Sequence, residues 1–151
     1  MNDWGKILVA IDETPASERA LRYLGKFAGR IGSSEVCLLH IYPEPEQGLL
    51  KDGQSAADYQ KGKRSIARKI LQKGATLLEG CSVSPEKISR ECRMASGKTI
   101  SQIILQVQEE GGFGTVVVGK RKVSRSDDFL FGSILKSLVH QGESFTLWVV
   151  S

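Results

Sequence analysis

Five short apolar runs alternate with four longer amphipathic stretches along the whole chain. The runs are Lys6–Asp12 (KILVAID), Glu35–Tyr42 (EVCLLHIY), Lys87–Met94 (KISRECRM), Thr115–Gly119 (TVVVG) and Ser144–Val150 (SFTLWVV). Four of them are dense in Val, Ile and Leu and bounded by Gly, Pro or Asp, the pattern of strands buried on both faces. Lys87–Met94 is the weakest of the five, with charges interleaved among Ile88, Cys92 and Met94. Between the runs, apolar residues recur at helical spacing. Pro15–Ile31 places Ala20, Leu21, Leu24, Phe27, Ala28 and Ile31 on one stripe, with Thr14 as cap and Pro15 in the first turn. Ala56–Leu78 carries Ile66, Ala67, Ile70, Leu71, Leu77 and Leu78 opposite many Lys and Arg. Thr99–Glu110 and Ser133–His140 complete the set. Strand and helix in strict alternation predict an α/β fold: a five-stranded, mainly parallel open sheet with helices on both faces.

That fold class says where to look for chemistry. In an open parallel sheet, ligands bind outside the carboxyl ends of the strands, where the strand order reverses. Asp12, Ile41, Tyr42 and Gly119 stand at such ends. Three cations, Lys120, Arg121 and Lys122, follow Gly119, and Gly132–Ser133 reads as a helix start. Free N–H groups and the helix dipole at such a start attract an anion. The plain alternative is a solvated charge run followed by an ordinary cap. Glu44–Ser55 is the only long loop, polar and rich in Gly and Pro, and is a candidate lid.

Other chemistries are set aside. Ser96-Gly97-Lys98-Thr99 invites a phosphate-loop reading, but the pattern needs a glycine where Cys92 stands, inside the third strand. Asp12, His40 and Ser133 are the residue types of a triad, yet Ser133 lacks the G-x-S-x-G elbow, and His40 reads as a half-buried strand residue. With two histidines and no CxxC or HExxH, a zinc site is not expected. The 151 residues predict one domain, 1–151. Three cysteines at no metal spacing predict reduced thiols and a cytoplasmic protein. No signal peptide is read in MNDWGKILVAID, and no apolar run approaches the roughly 20 residues of a membrane helix. A net charge of +4 with 7% aromatics is not the footprint of a dedicated nucleic-acid binder.

The opening ILVAIDETPASERALRYL, the second strand EVCLLHIYPEP and the block TVVVGKRKVSRSDDFLFGSILKSLV…FTLWVV together resemble the universal stress protein family over nearly the whole chain. The resemblance implies a Rossmann-like fold of the adenine nucleotide alpha hydrolase type, strand order 3-2-1-4-5, and a homodimer formed through the last strand. One branch of that family binds ATP or AMP through G-x-x-G-(nine residues)-G-S/T, and another branch lacks the motif. Here Gly119 supplies the first glycine, Val123–Phe131 the nine-residue spacer and Gly132–Ser133 the final pair, but Lys122 replaces the second glycine. The implied nucleotide-binding set is Ile11, Asp12, Ile41, Gly119, Arg121, Lys122, Gly132 and Ser133, with Asp12 toward the adenosine part and Ile41 against adenine. Asp127 and Asp128 in the spacer either repel phosphate or help hold Mg2+. No equipped catalyst is evident, so at most weak ATP hydrolysis is expected. The resulting expectation is a stress-response regulator or sensor that binds adenine nucleotide and acts on a regulatory protein partner. The alternative is a dimeric interaction module that binds no nucleotide, and Lys122 is its main support.

Overall fold

The structure, a computed structural model, describes residues 3–46, 53–120 and 125–151, the side chains of 125–132 excepted. In chain order the elements are β1 (Asp3–Ala10), α1 (Pro15–Ala28), β2 (Glu35–Pro43), α2 (Ala56–Gly80), β3 (Ile88–Ala95), α3 (Ile100–Gly111), β4 (Phe113–Gly119), α4 (Arg125–Gln141) and β5 (Thr146–Val150). They form one five-stranded sheet of order β3-β2-β1-β4-β5, and all four pairings are parallel. The expected fold class and strand order are therefore both present.

The period-2 alternation of each strand builds two cores. Ile7 and Val9 of β1 pack with Leu21 and Leu24 of α1 and Leu71 and Leu78 of α2. Leu8, one residue out of phase, packs on the other face with Ile103, Ile104 and Val107 of α3 and Leu138 of α4. Each such fully buried aliphatic side chain contributes about 1.5–3 kcal/mol over leaving it in water. The central strands β1 and β4 are covered on both sides, which is why they read as unbroken apolar runs. β3 lies at the edge and has no fully buried residue, which explains its weak sequence signal.

Local signals fix the helix starts. Ser55 and Asp58 form a reciprocal capping box at α2, and Thr99 and Gln102 form another at α3. α3 ends on Gly112 at φ 65°, a left-handed position that favours glycine.

One element departs from the sequence reading. α4 begins at Arg125, eight residues before the expected start at Ser133. Gly132 and Ser133 therefore lie inside the helix, and their N–H groups are not the free donors of a helix start. The sequence ahead of Gly132 explains the difference. The apolar stripe of α4 is visible in the sequence only from Ile134 onward, so the residues ahead of Gly132 read as loop. Residues 47–52, within the candidate lid, and residues 121–124, including Arg121 and Lys122, lie outside the described residues. Among the described residues, no helix is long and apolar enough to cross a membrane.

Candidate functional site

The site is built from the turn that leaves β1. Ile11 still donates its N–H to the Leu39 carbonyl at 2.8 Å, so the β1–β2 ladder holds up to the turn while β2 runs on to Pro43. The chain then turns on Asp12. One carboxylate oxygen, Oδ1, accepts from the Thr14 N–H (2.9 Å), the Thr14 hydroxyl and the Ser17 hydroxyl (2.9 Å). The Asp12 N–H in turn donates to the Ser17 Oγ at 2.8 Å. This is an aspartate-centred turn that sets the angle at which α1 enters. Thr14 occupies the N-cap position as expected, but its hydroxyl serves Asp12 rather than the helix N–H groups. The loop-organising role that a strand-end aspartate often has is thus real here, and Asp12 also lines the cleft described below.

Gly119 ends β4 beside the first turn of α1. A β-carbon on it would sit 2.3 Å from the Ala16 carbonyl oxygen. The glycine is therefore required by backbone approach between β4 and α1, whatever else it does. Beyond it, the Lys120 N–H donates to the Val150 carbonyl at 2.7 Å, and Arg19 donates to the Lys120 carbonyl at 3.2 Å.

These elements enclose a cleft of about 440 Å³ at the carboxyl ends of β1, β2 and β4. That size lies within the roughly 300–1,000 Å³ of small-molecule sites. Ile11, Leu39, Ile41, Ile104 and Val118 give it apolar walls. Around them stand six hydroxyl-bearing residues: Thr14 and Ser17 of the α1 entry, Thr99 and Ser101 of the α3 entry, and Ser133 and Ser137 of α4. Asp12 is the one charged residue among the described lining. An apolar slot with hydroxyls and a fixed carboxylate suits a flat ligand with polar edges and hydroxyl groups of its own.

Five of the eight residues singled out from the sequence meet here: Ile11, Asp12, Ile41, Gly119 and Ser133. Gly132 is next to Ser133 in α4. Arg121 and Lys122 fall outside the described residues, as do the side chains of Asp127 and Asp128. Tyr42 is buried and pairs with the Tyr59 ring instead of entering the cleft. Sequence reasoning missed Thr99, Ser101 and Ser137. The rule that every strand-to-helix turn of a parallel sheet arrives at the same end could have found the first two.

The chemistry set aside earlier stays aside. His40 directs Nδ1 at the Ile11 carbonyl, 2.9 Å away. A carbonyl can only accept, so Nδ1 carries the proton, and the ring ties β2 to the β1 exit rather than to Asp12. In the Ser96–Thr99 turn, Gly97 has φ 63° and its N–H donates to the Glu44 carboxylate at 3.1 Å. The Thr99 hydroxyl accepts the Gln102 N–H of the capping box. Those donors and acceptors are spent within the chain. Burial pushes the Cys37 and Cys92 thiols above the ordinary cysteine range, so neither is a ready thiolate.

A parallel 3-2-1-4-5 sheet with a cleft at the β1–β4 switch point defines a Rossmann-like α/β domain. The model of the universal stress protein family matches residues 3–150. The chain belongs to that family. Among solved structures it is similar to a universal stress protein family member from Burkholderia pseudomallei (13% identity, TM-score 0.74, covering 97% of this chain and 96% of that one). It is also similar to a universal stress protein from Archaeoglobus fulgidus in complex with dAMP (17%, 0.64, 97% of each chain). A third is a universal stress protein in complex with cAMP (15%, 0.70, 97% of this chain and 96% of that one). At such identities the likeness carries the fold alone. Comparison with curated proteins gives no match.

Proposed function

We propose that this chain is a stress-response regulator or sensor that binds adenine nucleotide, ATP or AMP, in the cleft at the ends of β1 and β4. The observation that carries the reading is the cleft itself: an apolar slot between Ile11 and Ile41, a fixed Asp12 carboxylate and a ring of hydroxyls, all at the switch point. Ile11 and Ile41 would hold the base and Asp12 the ribose hydroxyls. Gly119, Arg121, Lys122 and the Ser133 hydroxyl would hold the phosphates, with Gly132 leaving them room and Mg2+ as counter-ion. Two structures of similar fold contain dAMP and cAMP, which supports this choice of ligand class. The same reading makes the protein a cytoplasmic homodimer joined through β5, an edge strand with Val149 42% exposed, and has a regulatory protein read its occupancy. Catalysis is no part of it beyond weak ATP hydrolysis.

One observation favours the interaction module without nucleotide. Lys122 stands where the nucleotide-binding pattern has its second glycine, and the close approach of Gly119 to Ala16 explains that other glycine without a phosphate. Calorimetric titration with Mg–ATP and with AMP, together with assay of the supernatant of denatured protein, separates the two. Binding or carried nucleotide, weakened about tenfold by Asp12→Asn as expected when a hydrogen-bonded charge is lost, supports the sensor. No carried nucleotide and no heat at millimolar ligand supports the module.

A further inference from the structure

α2 holds the whole charge excess of the chain. Its six cations, Lys61, Lys63, Arg64, Arg68, Lys69 and Lys73, face two carboxylates, Asp58 and Glu79, which leaves +4, and the chain as a whole is also +4. The remaining fifteen cations and fifteen carboxylates cancel. Arg64/Arg68 and Lys69/Lys73 are like charges four residues apart, a spacing that destabilises a helix. Among the described residues, the ion pairs are Arg22–Glu18, Lys87–Glu35 and Arg93 with Glu91 and Glu110, and none uses an α2 cation. Lys63 lies over the Tyr59 ring, and Lys73 acts on Glu18 at a distance. Among the described residues, neither Arg68 nor Lys69 is in an ion pair, although Lys69 also lines a second pocket with Asp12, Glu13 and Glu18.

These cations border a groove. It has a volume of about 690 Å³ and is lined by Arg68, Lys69, Gln72 and Lys73 of α2 and Arg90 of β3, with buried Leu71 between them. Among its described lining are four cations and no carboxylate. β3 is also the outermost strand on that side. It pairs with β2 in unbroken register from Val36↔Ile88 to Pro43↔Ala95, and no described strand pairs with its other edge. Such an edge presents unpaired N–H and C=O groups to whatever lies beside it.

We propose that the α2–β3 groove docks an acidic, extended segment of a partner protein, which adds to the free edge of β3 as a sixth strand. Its alternate side chains are carboxylates that meet Arg68 and Lys69 on one turn of α2, Lys73 on the next, and Arg90 of β3. The spacings agree. α2 is the crossover between parallel β2 and β3, so its axis runs back along them. Four helical residues rise about 6 Å. Alternate residues of a strand are about 6.6 Å apart. Main-chain pairing with side-chain pockets is a known mode of peptide recognition.

Competing occupants fit less well. A single-stranded nucleic acid needs rings to stack on. Tyr59, the aromatic nearest the basic row in sequence, donates its hydroxyl to the Pro43 carbonyl and packs on Tyr42. An anionic membrane would need an apolar face on α2 to insert, and Ala67, Leu71, Ala75 and Leu78 are buried in the core. Charges on an edge strand also guard against pairing. The mixed pair Glu91 and Arg93 on β3 serves that purpose and does not require a one-signed row on α2.

The test is fluorescence anisotropy of the whole chain with a labelled ten-residue peptide of alternating Glu and Val. Saturable binding is expected, weakening as salt is raised. Arg68→Glu with Arg90→Glu, both exposed and checked by circular dichroism, should weaken it about tenfold or more. Arg68→Gln with Lys69→Gln should weaken it less. A peptide of the same sequence N-methylated at alternate residues keeps its charge and should lose binding, because strand pairing is blocked. Equal binding by the charge-reversed variant or by the N-methylated peptide overturns the proposal. So does tighter, variant-sensitive binding of an oligothymidine or a phosphatidylserine vesicle.

Discussion

The two edges of the sheet are finished in opposite chemistry. β5 is five residues, Thr146–Val150, without a charge. Its Trp148 makes edge-to-face contacts with Phe27, at 4.9 Å between ring centres, and with Tyr23, at 6.2 Å. β3 is eight residues with three charges, and Arg93 bridges Glu91 on its own strand and Glu110 on α3. An edge can be closed by apolar anchoring, which invites a like surface, or by charge, which repels a like surface and selects a complementary one. The contrast fits self-association at β5 and recognition of another chain at β3, and the two would not compete.

The contrast can be broken experimentally. Trp148→Ala carries the largest expected effect. It removes the aromatic cluster with Phe27 and Tyr23 and should cost about 2–3 kcal/mol, below the ~3–5 kcal/mol of a fully buried tryptophan because this one is half-buried. Urea unfolding measures it, and the loss should grow with dilution if β5 joins two copies. A loss under about 0.5 kcal/mol, the range of an ordinary surface change, would remove the anchor from the comparison.

Val149→Asp is next. Val149 is exposed, so the fold should be nearly unaffected while a dimer joined through β5 separates. Sedimentation velocity reads this directly. A variant with the parent's sedimentation coefficient contradicts the apolar-edge dimer.

Arg93→Ala at the other edge should have the smallest effect, because its pairs are half-exposed and such pairs contribute little. Its signature is in pH. The Gln106 hydrogen bond and then Arg93 hold the Glu110 carboxyl below the ordinary glutamate range. A lowered carboxyl stabilises the fold above its unfolded-state value, and that contribution is lost as pH falls through the folded value. Arg93→Ala should therefore lower stability slightly at neutral pH, leave it unchanged once Glu110 is protonated, and so flatten the fall in stability with acid. An unchanged acid limb would show that Gln106 acts alone.

The same contrast explains what the sequence could reveal. Strands flanked on both sides, such as Ile7–Val9 and Val116–Val118, are apolar at every position, and their runs are visible by eye. β3 carries half a signal because half its surroundings are water. The start of α4 was hidden for a related reason. Its apolar stripe was read from Ile134 onward, while its first residues, Arg125 to Asp128, have the composition of a loop. In the cleft, Asp12, Ile41 and Gly119 were legible as strand ends. Thr99, Ser101 and Ser137 were not, because a hydroxyl on a helix has no sequence signature until the fold brings three helices to one rim.

Asp12 ends its strand already clasped by Thr14 and Ser17. A carboxylate so fixed behaves as a gauge rather than a hook: an incoming molecule spends no free energy on ordering it, and gains nothing from bending it. For a ligand bound as proposed, selection at this rim would work by template: hydroxyls displaced by about an ångström would forgo the hydrogen bonds to the fixed carboxylate and bind more weakly.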